Sequence, residues 1–156
     1  MDPASDAARR TSDATTLVVG ATGFLGSAVA ATLAAEGAAV AGTGRNPTVA
    51  TPHASVPFEF FGDDATELLG AVDPDVVVFA AAVELGQDDR SLPRFRNAVD
   101  RFLDAVDDHA ARLVYVSSDA VFDGDGDGQG SNYRHHDPRS PVSTYGRRLV
   151  VFEDRV

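Results

Sequence analysis

Leu17-Val18-Val19-Gly20-Ala21-Thr22-Gly23-Phe24-Leu25-Gly26 is the stretch that decides the fold. Three apolar residues read as the end of a strand, three glycines follow at a spacing of three, and an Ala-rich stretch then runs to Glu36-Gly37. That order reads strand, glycine turn, helix, with Gly37 as the helix stop. In such a context the first glycine permits a tight turn and the second lets a pyrophosphate approach the backbone. The third allows close helix packing, while the helix N-terminus attracts phosphate charge. Gly20, Gly23 and Gly26, with Thr22, Phe24 and Leu25 between them, are therefore candidates for holding a dinucleotide. The plainer reading, glycines that serve packing alone, stands beside it.

Outward from this turn the pattern alternates. A second strand is expected over Ala38–Thr43, a third over Phe58–Phe61 and a helix over Thr66–Val72, closed by Asp73-Pro74. Asp75–Ala80 is an unbroken apolar run with β-branched residues, the pattern of a strand covered on both faces of a parallel sheet. Leu92–His109 carries Val99, Phe102, Leu103 and Val106 at helical spacing. Leu113–Val116 is expected as the next central strand, and a last helix should begin near Ser143. Alternating strands and helices argue an α/β fold, a Rossmann-type doubly wound parallel sheet. Met1–Thr15 has no sustained apolar period and is read as a disordered leader, so the folded domain is expected over residues 16–156.

Composition bounds the function. The chain has 156 residues, 44% hydrophobic and 24% charged, within the globular range. Thirteen basic residues face 24 acidic ones, a net charge of -11, and every basic residue is Arg. A surface so acidic repels phosphate backbones, which argues against nucleic acid as a partner. The same acidity, with no Lys, suggests an organism with a salt-rich, halophilic cytoplasm whose ions screen self-repulsion. Zero Cys excludes disulfides and thiolate metal sites. The N-terminus lacks a signal-like apolar stretch and no segment reaches the roughly 18 apolar residues of a membrane span, so the expectation is a soluble, cytoplasmic protein.

At the end of the second strand an NAD enzyme usually presents a carboxylate to the ribose 2′-hydroxyl, whereas this chain reads Thr43-Gly44-Arg45. A guanidinium there can pair with the 2′-phosphate of NADP, with Thr43 as its neighbour, so NADP is favoured over NAD. A solvated loop charge is the alternative for Arg45. The acidic tract Asp123–Gly128 matches the first half of a calcium loop, but its twelfth position is Arg134 where a bidentate Glu is needed. Adjacent His135 and His136 point apart in most conformations, and no metal is expected.

Four segments, Gly20–Gly26, Pro74–Ala82, Val116–Gly124 and Ser140–Gly146, resemble the extended short-chain dehydrogenase/reductase superfamily. Ser117–Gly124 is most similar to the dTDP-4-dehydrorhamnose reductases and related sugar-nucleotide proteins. The resemblance implies an NAD(P)-dependent reductase or epimerase of nucleotide sugars, able to form a homodimer through the helix that carries Tyr145. It makes Asp63, with Asp64 beside it, an adenine contact, and Ala80, Ala81 and Ala82 the loop beside the cofactor ribose. Ser117 falls to the cofactor, Ser118 to the substrate carbonyl, and Tyr145 to proton donation in hydride transfer. A phenol can protonate the developing alkoxide if a nearby cation favours its ionised form.

The family pattern also calls for Tyr-x-x-x-Lys, and this chain has Tyr145-Gly146-Arg147-Arg148-Leu149. Arg148, one position short of the missing Lys, either supplies that positive charge or is a solvated helix charge. Members of the superfamily usually continue into a C-terminal substrate domain, which the resemblance finds lacking here. A non-catalytic NADP-binding regulatory module, or an inactive fragment, is the competing reading.

Overall fold

The computed structural model describes residues 14–44, 54–82, 89–124 and 133–156. The elements are β1 (Thr15–Val19), α1 (Phe24–Ala35), β2 (Ala39–Gly44), β3 (Ala54–Pro57), α2 (Ala65–Val72), β4 (Val76–Phe79), α3 (Leu92–Asp108), β5 (Arg112–Tyr115) and α4 (Thr144–Glu153). Single 3-10 turns stand at Asp89–Ser91 and Asp119–Val121. The chain divides into two compact units, one of residues 1–83 with 101–116, the other of residues 84–100 with 117–156.

Among the described residues the first unit holds a five-stranded sheet in the order β3-β2-β1-β4-β5, parallel at every pairing. Leu17 lies level with Ala41 on one side and Val77 on the other. Because side chains alternate along a strand, Val18 and Val78 go to one face, where they pack with Ala21 and Ala30 of the turn and α1. On the other face Phe79 meets Phe102 of α3 edge-on at 5.2 Å, and Phe60 joins both rings. Leu17, Val18, Val19, Val77, Val78 and Phe79 are all buried, the sign of a sheet covered on both sides. The α/β, doubly wound expectation therefore holds.

Helix ends follow their local chemistry. Gly37, at φ 87°, ends α1, and its N–H reaches Ala34 O at 3.1 Å. Asp64 caps α2 by accepting from Thr66 N–H at 2.8 Å, and Asp73 closes that helix in the left-handed region at φ 51°.

Three expectations need correction. The third strand lies at Ala54–Pro57, upstream of Phe58–Phe61: the aromatics are not paired in a ladder, and Phe58 and Phe60 plug the ring cluster around Phe102. Pro57 is tolerated because β3 is an edge strand. The strand expected as central at Leu113–Val116 is β5, which ends the sheet and leaves Val114 45% exposed. Thr15, assigned to the leader, opens β1, and its N–H is held by Asp75 Oδ2 at 2.8 Å. The rest of the leader lies outside the described residues, apart from Ala14. Among the described residues no helix is long and apolar enough to cross a membrane.

Candidate functional site

Strand order reverses between β1 and β4, and the crevice beyond the C-terminal ends of such a strand pair is where open α/β sheets take ligands. Gly20 stands there with φ 89°, and a Cβ on it would lie 2.6 Å from Ala81 Cα, just beyond β4. Ala80 continues that strand, its N–H bonded to Val19 O at 2.9 Å, and Ala82 is exposed. At Gly26 a Cβ would meet Gly20 O at 2.2 Å, so this glycine lets α1 close on the turn. Gly23 differs from both: its nearest obstacle is Gly20 O at 3.2 Å.

Gly23 is also the N-cap of α1, with no side-chain cap and no acidic residue in the first turn. The helix thus presents first-turn N–H groups with no side chain to satisfy them, beside a residue that has no Cβ. Phe24 is 98% exposed and Leu25 45%. An uncapped helix start with no acidic residue in its first turn suits an anionic group such as a diphosphate. Gly20 and Gly26 serve close packing of the turn, and a Cβ on Gly23 would also come tight against Gly20 O.

The end of β2 leans on this turn. Thr43 is buried, and its Oγ1 accepts from Gly20 N–H at 3.2 Å. The sequence placed Thr43 next to a 2′-phosphate; the structure turns its hydroxyl inward to hold the glycine turn instead. The next residue, Gly44, lies under Thr22, whose Cγ2 would be 2.3 Å from a Cβ at Gly44. Arg45 lies outside the described residues. Asp63 accepts from Glu59 N–H at 2.6 Å, and Asp64 spends one oxygen on its helix cap.

The second unit carries Ser117, Ser118, Tyr145 and Arg148. Ser118 Oγ accepts from Ala120 N–H at 3.2 Å and donates to Asp119 Oδ1 at 2.9 Å, opening the 3-10 turn at Asp119–Val121. Ser117 Oγ donates to Glu153 Oε1. At the far side, Ser143 caps α4 by accepting from Gly146 N–H at 2.9 Å. Tyr145 is the second residue of that helix and is 48% exposed. A Cβ on Gly146 would sit 2.0 Å from Ala120 O. Sequence reading missed Gly146: its absent side chain lets α4 seat directly on the serine turn, and a Tyr-Gly pair opening a helix was the available signal.

Arg148 is neither a solvated charge nor turned to open solvent. It is 5% exposed, its Nη2 donates to Ser91 Oγ at 2.9 Å, and its guanidinium lies 6.0 Å from the Phe95 ring centroid. The reading of a solvated helix charge is thus overturned by burial. Arg147 donates to Val142 O at 3.1 Å and to Thr144 Oγ1 at 3.2 Å. Leu149, at the place of the family Lys, is buried.

Side-chain contacts hold the described residues on either side of positions 125–132. Phe122 and Tyr133 stack at 4.2 Å, and Tyr133 Oη donates to Asp123 Oδ1 at 2.6 Å. Arg139 pairs with Glu153 at 3.1 Å and Asp154 at 2.6 Å, and hydrogen bonds to these carboxylates hold its guanidinium above its ordinary pKa. The rest of the acidic tract, from Asp125, lies outside the described residues. His135 and His136 stand edge to face with centroids 5.1 Å apart. Among the described residues no group of three or more potential ligands is placed to hold a metal.

A parallel sheet in this order with a glycine turn at its switch point, followed in sequence by the serine turn and the Tyr helix, defines a Rossmann-type member of the short-chain dehydrogenase/reductase class. The chain belongs to the family described as RmlD substrate binding domain, whose model matches residues 14–156. Among curated relatives it is 35% identical over 146 residues to a probable low-salt glycan biosynthesis reductase, Agl14, of Haloferax volcanii, covering 89% of this chain and 47% of that protein. It is 33% identical over 156 residues to dTDP-6-deoxy-L-talose 4-dehydrogenase (NAD(P)(+)) of Kitasatospora kifunensis, covering 96% of this chain and 48% of the relative. The chain thus spans about half the length of these relatives. Of solved structures, Bordetella bronchiseptica WbmH in complex with NAD+ matches with TM-score 0.75 at 22% identity, covering 92% of this chain and 52% of that one. MoeE5 in complex with UDP-glucose and NAD matches at 0.73 and 24%, covering 90% and 47%. At these identities the structures speak to the fold alone.

Proposed function

We propose that this chain is the cofactor-binding half of an NAD(P)-dependent reductase or epimerase of nucleotide sugars, of the dTDP-4-dehydrorhamnose reductase kind. The observation that carries the reading is the uncapped start of α1 at Gly23, inside a chain that belongs to this family. First-turn amides of α1 bind the diphosphate, Ala80–Ala82 flank the ribose, and Asp63 with Asp64 bounds the adenine. The absence of a carboxylate at Gly44 favours NADP over NAD. The nicotinamide supplies or accepts a hydride when bound.

Tyr145 donates a proton from Oη to the substrate carbonyl oxygen, and Ser118 Oγ donates a hydrogen bond to that same oxygen. The Ser118 hydroxyl can rotate its proton from Asp119 toward substrate while still accepting from Ala120 N–H. Arg148, buried and held through its Nη2 by Ser91, is the candidate for the positive charge of the missing Lys. Leu149 in the Lys position favours a second reading, a module that binds NADP without turnover.

The two readings separate in one assay. The chain is mixed with NADPH and a nucleotide-linked 4-keto-6-deoxyhexose, and absorbance at the dihydronicotinamide band is followed. Substrate-dependent oxidation is expected from the reductase; binding with no oxidation over hours would leave the module.

A further inference from the structure

We infer that Glu153 is a positioning residue of the site: its carboxylate, fixed by Ser117 and Arg139, sets Ser118 against Tyr145. This rests on the proposal that Ser118 and Tyr145 act together on a substrate carbonyl. The two side chains stand on separate elements, Ser118 at the opening of the 3-10 turn and Tyr145 at the start of α4. Their spacing is therefore set by whatever joins the turn to the helix.

Two contacts join them. Near the helix start Gly146 packs on Ala120 O, where a Cβ would stand only 2.0 Å away. At the helix end Ser117 Oγ donates to Glu153 Oε1. Gly146 and Glu153 are separated by about 10 Å of helix, and the chain from Ser117 to Ala120 spans at most about 11 Å. The turn thus lies along the helix and is attached near both of its ends. One contact alone would let α4 swing about it, and the second removes that freedom. The other carboxylate oxygen is also engaged: Glu153 Oε2 accepts from Arg139 Nη1 at 3.1 Å, while Arg139 Nη2 donates to Asp154 Oδ1 at 2.6 Å. The segment that carries Arg139 is itself tied to the turn, since Ser140 N–H donates to Val121 O at 2.9 Å. With a partner on each oxygen, one of them a guanidinium, the carboxylate keeps a single orientation and Ser117 anchors the turn to it.

The test follows NADPH oxidation by the full chain with a nucleotide-linked 4-keto-6-deoxyhexose. It compares wild type with Glu153→Ala, Glu153→Gln, Ser117→Ala, the double variant Ser117→Ala/Glu153→Ala, and Arg155→Gln. Calorimetric titration with NADPH and circular dichroism melts accompany each. Glu153→Ala is expected to lower kcat about tenfold or more, the scale of a misplaced reacting pair, with the NADPH Kd within about twofold of wild type. Glu153→Gln keeps an oxygen for Ser117 and should restore most of the rate. Ser117→Ala should cost about as much as Glu153→Ala, and the double variant no more than either, as for groups that act as one unit. Arg155→Gln loosens the same helix end by removing the 2.7 Å pair with Asp100, leaves the turn untouched, and should keep the wild-type kcat. A folded Glu153→Ala that turns over like wild type, or an equal loss in Arg155→Gln, would overturn the role of Glu153 alone. A folded wild type with no substrate-dependent oxidation would overturn the reductase reading and this inference with it.

Discussion

Replacing Gly26 by Val is expected to weaken NADPH binding by roughly a hundredfold, because the turn loses its grip on two charged phosphates and each such hydrogen bond contributes about 1.5–3 kcal/mol. The cause is steric. A Cβ at position 26 would stand 2.2 Å from Gly20 O and 2.8 Å from its carbonyl carbon, both backbone atoms that no rotamer can move. Either α1 shifts away from the sheet or the turn opens, and Gly20 cannot give, since it is itself pressed against Ala81. Folding stability should fall by about 1–3 kcal/mol as well. Gly37→Ala is the control: Gly37 has a positive φ, unlike Gly26, and nothing lies within 4 Å of its would-be Cβ. That variant should lose about 1 kcal/mol through backbone strain and keep its NADPH affinity. Denaturant melts alongside titrations separate the two, and equal loss of binding in both would mean that the Gly26 effect is only lost stability.

Tyr145→Phe is expected to lower turnover by about 10²- to 10⁴-fold, the usual contribution of a positioned proton donor. Dinucleotide affinity should stay within about twofold, and stability within about 0.5 kcal/mol, because the phenol is 48% exposed and the ring is retained. Steady-state rates of the NADPH-dependent reduction measure the first, titration the second. A Tyr145→Phe variant as active as wild type would remove Tyr145 from the chemistry. Ser118→Ala offers no such clean separation, since Ser118 also caps the turn on which Gly146 seats α4.

Much of the fold can be read from the sequence because its signals are local. Gly37 and the Asp73-Pro74 pair stop helices where they stand, and the apolar run at Val76–Phe79 needs two covered faces wherever it goes. The third strand escaped notice for the opposite reason. Ala54–Pro57 is short, pairs on one side only and is weakly apolar, while Phe58-Glu59-Phe60 imitates a strand and instead sends two rings into the cluster around Phe102.

At the site, one-dimensional spacing gave direction but not depth. Three residues after Tyr145 along a helix, Arg148 could have pointed to solvent or inward, and only the packing of Ser91 and Phe95 against it settles the matter. Thr43 and Gly44 are adjacent in sequence with opposite duties, one bonding Gly20 and the other yielding to Thr22. That division depends on the register of β1 with β2, a contact between residues more than twenty apart. The glycines at 20, 23 and 26 look alike in the sequence, yet a Cβ at Gly20 or Gly26 would come within 2.6 or 2.2 Å of backbone, whereas one at Gly23 would stand 3.2 Å from Gly20 O.

Whether the Gly20–Gly26 turn holds a nicotinamide dinucleotide is tested most directly by calorimetric titration of the purified chain with NADPH and NADH in molar potassium chloride, which screens the net charge of -11. Saturable binding near one dinucleotide per chain, tighter for NADPH, is the expected result. No heat of binding from either dinucleotide, in a chain whose circular dichroism shows it folded, would contradict binding at this turn.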